Sequence, residues 1–83
     1  MFLAKVFIAP KSTVNDPQGV TIHDGLHNLG FDTVRHVRMG KFMEITLDVS
    51  NENDAILVVD EMCKKLLSNP VIEEYHFEIQ AII

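Results

Sequence analysis

His23 and His27 stand one helical turn apart, a spacing at which two imidazoles on one helix face can share a metal ion. Asp24 directly follows His23 and would point about 100° away around a helix, so it does not complete a ligand set. Both histidines border an apolar stripe and read as surface side chains. His36 and His76 fall on opposite edge strands and cannot meet within one copy. Lys11 lies just before a helix start, where free N–H groups and the helix dipole attract phosphate. Asp16 brings its own carboxylate to those donors and Pro17 removes one of them, so an anion there would be repelled. Lys11, Arg38 and Lys41 could still hold phosphate as point charges. Cys63 sits in an apolar helical stripe, where a thiol is packing rather than nucleophile. There is no Walker-type loop, no GxGxxG and no serine with an evident base. The Glu73-Glu74 pair reads as the solvated start of a strand. What remains is a charge pattern: Arg35, Arg38 and Lys41 in one stretch, with Glu44, Asp48, Glu73, Glu74 and Glu78 elsewhere. It is either a solvated surface or a charged docking edge.

These residues must be positioned by short elements. Phe2 to Ala9 is an apolar run of strand length, with Phe2, Ala4, Val6 and Ile8 turned toward helices and Leu3, Lys5 and Phe7 away from them. Asp16-Pro17 is a strong helix start: Asp16 accepts from free N–H groups, and proline sits where its missing donor does no harm. Ile22, Gly25, Leu26 and Leu29 follow at helical spacing. Gly30 closes the helix in a left-handed cap, with Phe31 folding back. Gly25 inside the helix signals close packing or tolerance.

From Thr33 to Val49 two extended runs meet at Met39-Gly40-Lys41. The second alternates cleanly, with Met43, Ile45, Leu47 and Val49 on one face and Phe42, Glu44, Thr46 and Asp48 on the other. Gly40 at the junction predicts a tight hairpin turn. Ser50-Asn51 is a helix cap, and Ala55, Ile56, Val59, Met62, Cys63, Leu66 and Leu67 form the clearest helical stripe in the chain. Asn69-Pro70 stops that helix. Tyr75, Phe77 and Ile79 then alternate with polar residues in a last half-buried strand.

The expected fold is α+β: a ferredoxin-like βαββαβ chain forming one domain over residues 1–83, with a four-stranded antiparallel sheet and two helices on one face. The first and third strands are central. The open face of the sheet carries Leu3, Phe7 and Phe42 among charges. Burying one such side chain contributes roughly 1.5 to 3 kcal/mol, which favours a contact surface.

A chain of 83 residues buries only roughly 60 to 70% of its unfolded surface, so self-association is expected. With seven Lys and Arg against twelve Asp and Glu, the net charge of −5 speaks against nucleic acid and anionic membranes as partners. The single cysteine allows no intrachain disulfide. The opening apolar run is interrupted by Lys5 and is too short for a signal peptide, and nothing reaches the length of a membrane span. The expected location is cytoplasmic.

Several ordered phrases together resemble one family. They are Pro10-Lys11, Asp16-Pro17-Gln18-Gly19, Leu29-Gly30-Phe31, Val37-Arg38-Met39-Gly40-Lys41 with Glu44, and Leu67-Ser68-Asn69-Pro70-Val71-Ile72-Glu73 with Tyr75. In order and in total length they resemble PurS, the small subunit of phosphoribosylformylglycinamidine (FGAM) synthase where that enzyme is split into three polypeptides. Gly25 stands where the family usually has Ala, and Ser68 where a small residue precedes Asn-Pro.

The resemblance implies a ligase complex of de novo purine biosynthesis that uses ATP and Mg2+. ATP activates the amide oxygen of formylglycinamide ribonucleotide, and ammonia released from glutamine displaces phosphate to give the amidine. It further implies a large synthetase subunit (PurL), a glutaminase subunit (PurQ) that carries the cysteine nucleophile, and a small subunit that bridges them and supports ammonia transfer. That subunit binds no cofactor itself, contributes no catalytic residue and pairs with itself as a homodimer or tetramer. On this reading Lys11, Asp16, Gly19, Arg38, Gly40, Lys41, Asn69 and Glu73 are partner-binding residues. Asp16, Gly19, Gly40 and Asn69 also have folding duties in caps and turns, whereas Lys11, Arg38, Lys41 and Glu73 do not. The alternative is a ferredoxin-like regulatory module that binds a small ligand and dimerises through its sheet. An RNA-binding module would need more basic charge, and an acylphosphatase would need an arginine-bearing phosphate loop after the first strand.

Overall fold

The computed structural model describes residues 1–82. Strand β1 (Phe2–Pro10) leads to helix α1 (Pro17–Asn28), strand β2 (Lys41–Leu47), helix α2 (Glu52–Met62), a π-helical turn (Cys63–Leu67) and strand β3 (Glu73–Ala81). Among the described residues the sheet is three-stranded and antiparallel, ordered β2-β1-β3. The α+β class, the two helices and the central first strand therefore hold.

The alternation of β1 buries Ala4, Val6 and Ile8, which meet Leu47 of β2 and Ala55, Val59 and Cys63 of the second helical segment. Those last three lie at intervals of one helical turn and form a single contact line onto the sheet. Asn51 caps α2 by accepting from the Asp54 N–H at 2.9 Å. At the far end the Ser68 N–H and hydroxyl both donate to the Cys63 carbonyl, at 3.0 and 2.9 Å. Winding through this wider turn faces Leu66 outward at 83% exposure, although the stripe placed it inside, and keeps Leu67 half-buried. The Tyr75 hydroxyl donates to Asp60 at 2.6 Å, fastening β3 to α2, and Lys64 pairs with the same carboxylate at 2.9 Å.

Helix α1 starts as expected. Pro17 is its first residue, Asp16 accepts from the Gly19 N–H at 3.1 Å, and the helix ends at Gly30 with φ of 96°. The Gly30 N–H donates to His27 and that of Phe31 to Leu26, each at 3.0 Å, the paired bonds of a Schellman cap. No atom outside the helix approaches Gly25, so tolerance explains it rather than close packing.

Two expectations are corrected. Residues 34–40 run without turn or bend and form no strand, so the fourth strand of the ferredoxin-like sheet is not made within this copy, and β2 lies at an edge. The reason lies at Gly40. Its φ is not positive, so it makes no hairpin turn, and glycine is required there because a Cβ would collide with the Ile8 carbonyl oxygen. The chain passes straight across the end of β1 into β2. Second, α1 does not lie on the sheet beside α2, whose packing falls on β1 and β3. Leu29 is 75% exposed, and Ile22 of the expected inner face is also open. The helix and the returning segment form an arm braced by the Asp16 Oδ2 bond from the Met39 N–H at 2.9 Å and by His27 Nε2 against the Val34 carbonyl at 2.7 Å.

Candidate docking site

The charged and turn residues singled out in the sequence converge on one end of the sheet. Asp16 stands at its centre: Oδ1 caps α1 through Gly19, and Oδ2 takes the amide of Met39 from the return segment. The Met39 hydrogen bond, followed by that from Gly19 and with help from nearby Arg38, holds the Asp16 carboxyl below its ordinary range. Gly19 is buried beneath this contact, where a Cβ would strike both the Val37 carbonyl oxygen and the Asp16 carboxylate.

The turn before β3 supplies the opposite wall. The Asn69 N–H donates to Glu73 Oε1 at 2.7 Å, the Glu73 N–H donates to the Asn69 carbonyl at 2.7 Å, and Asn69 Oδ1 accepts from the Val71 N–H at 3.1 Å. Glu73 therefore does have a folding duty, contrary to the expectation, because its carboxylate closes this turn, and its other oxygen faces Lys41 Nζ at 3.7 Å. The Lys11 N–H donates to the Ile72 carbonyl at 2.9 Å, tying the loop after β1 to the same turn. A cleft of about 160 Å³ is lined by Asp16, Gln18, Gly40, Lys41 and Glu73 together.

Arg38 faces a second, larger cleft of about 580 Å³, shared with Gly40 and Lys41 and opening toward the face of the sheet away from α2. Its floor is aromatic. Phe7 stacks on His76 with centroids 4.7 Å apart and planes 10° apart, and packs against Phe42 at 5.0 Å. Of the eight residues expected to bind a partner, six (Asp16, Arg38, Gly40, Lys41, Asn69 and Glu73) stand around the two clefts and the turn that walls them, and Gly19 is buried behind Asp16. Lys11 adjoins through its backbone, and no contact of its side chain marks it.

His76 was not among the expected site residues. The register that sets it beside Phe7 also sets Phe7 beside Phe42, so cross-strand pairing would have found it once the strand ends were known. Gln18 gave no signal of its own. His23 and His27 do come together, with rings 4.3 Å apart, but His27 Nε2 is engaged by Val34 and His23 Nδ1 meets Asp24 at 3.1 Å. Among the described residues no group of three His, Cys, Asp or Glu side chains is placed to hold a metal ion, and no helix is long and apolar enough to cross a membrane. Cys63 is fully buried, and burial together with the Asp60 charge raises its thiol pKa, the opposite of activation.

The geometry is that of a small sheet whose charged end is held in shape by backbone ties, beside an aromatic cleft rimmed by cations. The chain belongs to the PurS family. The family model described as PurS, phosphoribosylformylglycinamidine (FGAM) synthase, matches residues 3–81. The chain is 41% identical over 83 residues to the phosphoribosylformylglycinamidine synthase subunit PurS of Bacillus subtilis, covering all of this chain and 98% of that one. The crystal structure of Methanocaldococcus jannaschii PurS, a subunit of formylglycinamide ribonucleotide amidotransferase in the purine biosynthetic pathway, is similar at a TM-score of 0.89 and 41% identity, with full coverage of both chains. A chain in the structure of PurLQS from Thermotoga maritima is similar at a TM-score of 0.85 and 30% identity, covering 96% of this chain and 99% of that one.

Proposed function

We propose that the protein is the small subunit of a three-part FGAM synthase, acting as one module over its 83 residues and bridging a PurL-type synthetase and a PurQ-type glutaminase in the cytoplasm. The family match over nearly the whole chain, with the motif residues gathered at one end of the sheet, supports this reading. The assembled enzyme uses ATP and Mg2+ on the synthetase. Phosphoryl transfer to the amide oxygen makes it a leaving group, and ammonia from glutamine displaces it as phosphate. Ammonia is lost by protonation or diffusion in open water, so the two larger subunits must be held in register, and a rigid connector achieves that.

Lys11, Asp16, Gly19, Arg38, Gly40, Lys41, Asn69 and Glu73 form the docking end. Arg38 and Lys41 offer positive charge to a partner surface, while Asp16 and the Asn69–Glu73 turn fix the backbone that presents it. The working form is self-associated, as a homodimer or tetramer with ferredoxin-like four-stranded sheets.

The test is amidine formation by the two larger subunits with and without this protein, fed by glutamine or by ammonia. The expected result is loss of glutamine-driven turnover alone when the protein is omitted. Equal glutamine-driven turnover in its absence would refute the bridging role.

A further inference from the structure

The cleft beside Arg38, at about 580 Å³, falls within the range of about 300 to 1,000 Å³ typical of small-molecule sites. Strand register builds it. Phe42, Phe7 and His76 stand side by side on β2, β1 and β3, a single row across the open face of the sheet. The next level toward the strand ends carries only Ala9 and Gly40 beside Glu74, so a notch opens there. Ile8 and Tyr75 border it with backbone alone, since Ile8 is buried in the core and the Tyr75 hydroxyl reaches Asp60 on the other face.

Charge is divided across the notch. Lys41 on β2, with Arg38 before it, stands at one end and Glu74 on β3 at the other. The two outer strands lie two inter-strand spacings apart, roughly 10 Å. Lys41 is shared with Glu73 at 3.7 Å, whereas Arg38 has no ion pair among the described residues. Asp16, the acid whose carboxyl feels the Arg38 charge, already has both oxygens on the amides of Gly19 and Met39. An open guanidinium fork beside a cleft suits a phosphate or a carboxylate.

The aromatic row narrows the choice. Phe7 and His76 lie 4.7 Å apart with planes 10° apart, so each covers a face of the other, and Phe42 packs on the opposite side of Phe7 at 5.0 Å. Phe7 therefore turns an edge to the cleft. Ring edges carry the positive part of the aromatic quadrupole and attract the face of a flat π system laid across them. A nucleic-acid strand, whose bases stack face on face, finds both sides of Phe7 taken.

We infer that this cleft binds a purine nucleoside monophosphate. The phosphate meets Arg38 and Lys41, the base lies across the edges of Phe7 and His76, and the N–H groups of the base donate to Glu74. Inorganic phosphate would use the cations alone, and an aliphatic amino acid the two charged ends alone. A purine nucleotide is anionic at one end, flat in the middle and N–H-bearing at the other, the order in which the cleft presents its groups. Arg38 also belongs to the proposed docking end, so a bound nucleotide withdraws that charge from a partner. The inference goes beyond the bridging role and is tested on the isolated protein, so either can fail without the other.

The experiment is calorimetric titration of the 83-residue protein with adenosine monophosphate, adenosine and inorganic phosphate, with amide NMR spectra of the unmodified protein recorded alongside. The expected result is saturable binding of the nucleotide, with shifts centred on Phe7, Arg38, Phe42 and His76, and binding of adenosine and of phosphate each weaker by about tenfold or more. Arg38→Gln should weaken the nucleotide about tenfold and leave adenosine unchanged. Glu74→Gln should weaken nucleotide and adenosine alike. Because the spectra need no substitution, they locate the site even where a variant fails to fold. Absence of saturable nucleotide binding would overturn the proposal. So would shifts centred elsewhere, phosphate binding as tightly as the nucleotide, or a short RNA binding more tightly than the mononucleotide.

Discussion

The carboxylate of Asp16 accepts from the amide of Met39 across twenty-three positions of sequence, at 2.9 Å, while its other oxygen caps helix α1. One side chain thereby joins the helix start to the segment that enters β2. Asp16→Asn keeps a single good acceptor, so one of the two amides loses its partner. The expected outcome is a lower melting temperature and faster hydrogen exchange at Met39 or Gly19, with the amides of β1 and β3 less affected.

The same contact gives a pH dependence. Asp16, Asp60 and Glu61 all titrate below their ordinary values, through the amides of Met39 and Gly19, the Tyr75 hydroxyl and Lys64, and Lys65 respectively. A carboxyl whose folded pKa is depressed contributes stability above its unfolded value and loses it as pH falls through the folded value. Thermal melts from about pH 6 to about pH 2 should show a steep acid loss of stability, and Asp16→Asn should lessen its slope.

Glycine substitutions separate three positions that sequence alone treats alike. Gly25→Ala meets open space inside a helix and should stabilise by about 1 kcal/mol. Gly19→Ala and Gly40→Ala drive a methyl into backbone carbonyl oxygens and should destabilise by roughly 1 to 3 kcal/mol. Urea denaturation of the three variants decides it.

Cys63 should react with thiol reagents only when the protein opens, because it is fully buried and its pKa is raised. Its labelling rate should rise with denaturant in step with global unfolding. Rapid labelling of the native protein would show that α2 lifts from the sheet on its own.

At the docking end, Lys41→Glu reverses one charge of a pair 3.7 Å apart and leaves in place the Glu73 oxygen that accepts from the Asn69 N–H. The variant should fold and self-associate normally yet lose support of glutamine-driven turnover, with ammonia-driven turnover of the synthetase unchanged. Retained support would remove Lys41 from the docking surface.

Elements governed by local rules were legible in the sequence. Asp16-Pro17, Gly30 and Asn51 form the caps their chemistry requires, and the alternation in β1 and β3 names the buried face correctly. The gathering of the turn residues at one sheet end was not legible, because it depends on which strands pair. What failed was non-local. Gly40 reads as a turn because glycine permits one, but its place is set by the Ile8 carbonyl, which no local pattern reveals. An apolar stripe on α1 shows that the helix must be covered and not what covers it. Leu66 left the stripe because one wider helical turn shifts the phase of all that follows.

The bracing of α1 also has a mechanical side. The helix is tied to its return segment near both ends, at Asp16–Met39 and His27–Val34, so the pair behaves as a strut and tie roughly 18 Å long. Two such ties limit how far the helix and the segment can part, so the two are expected to move together. Whatever seats the far end of the arm sets the angle at which Arg38 and Lys41 are presented.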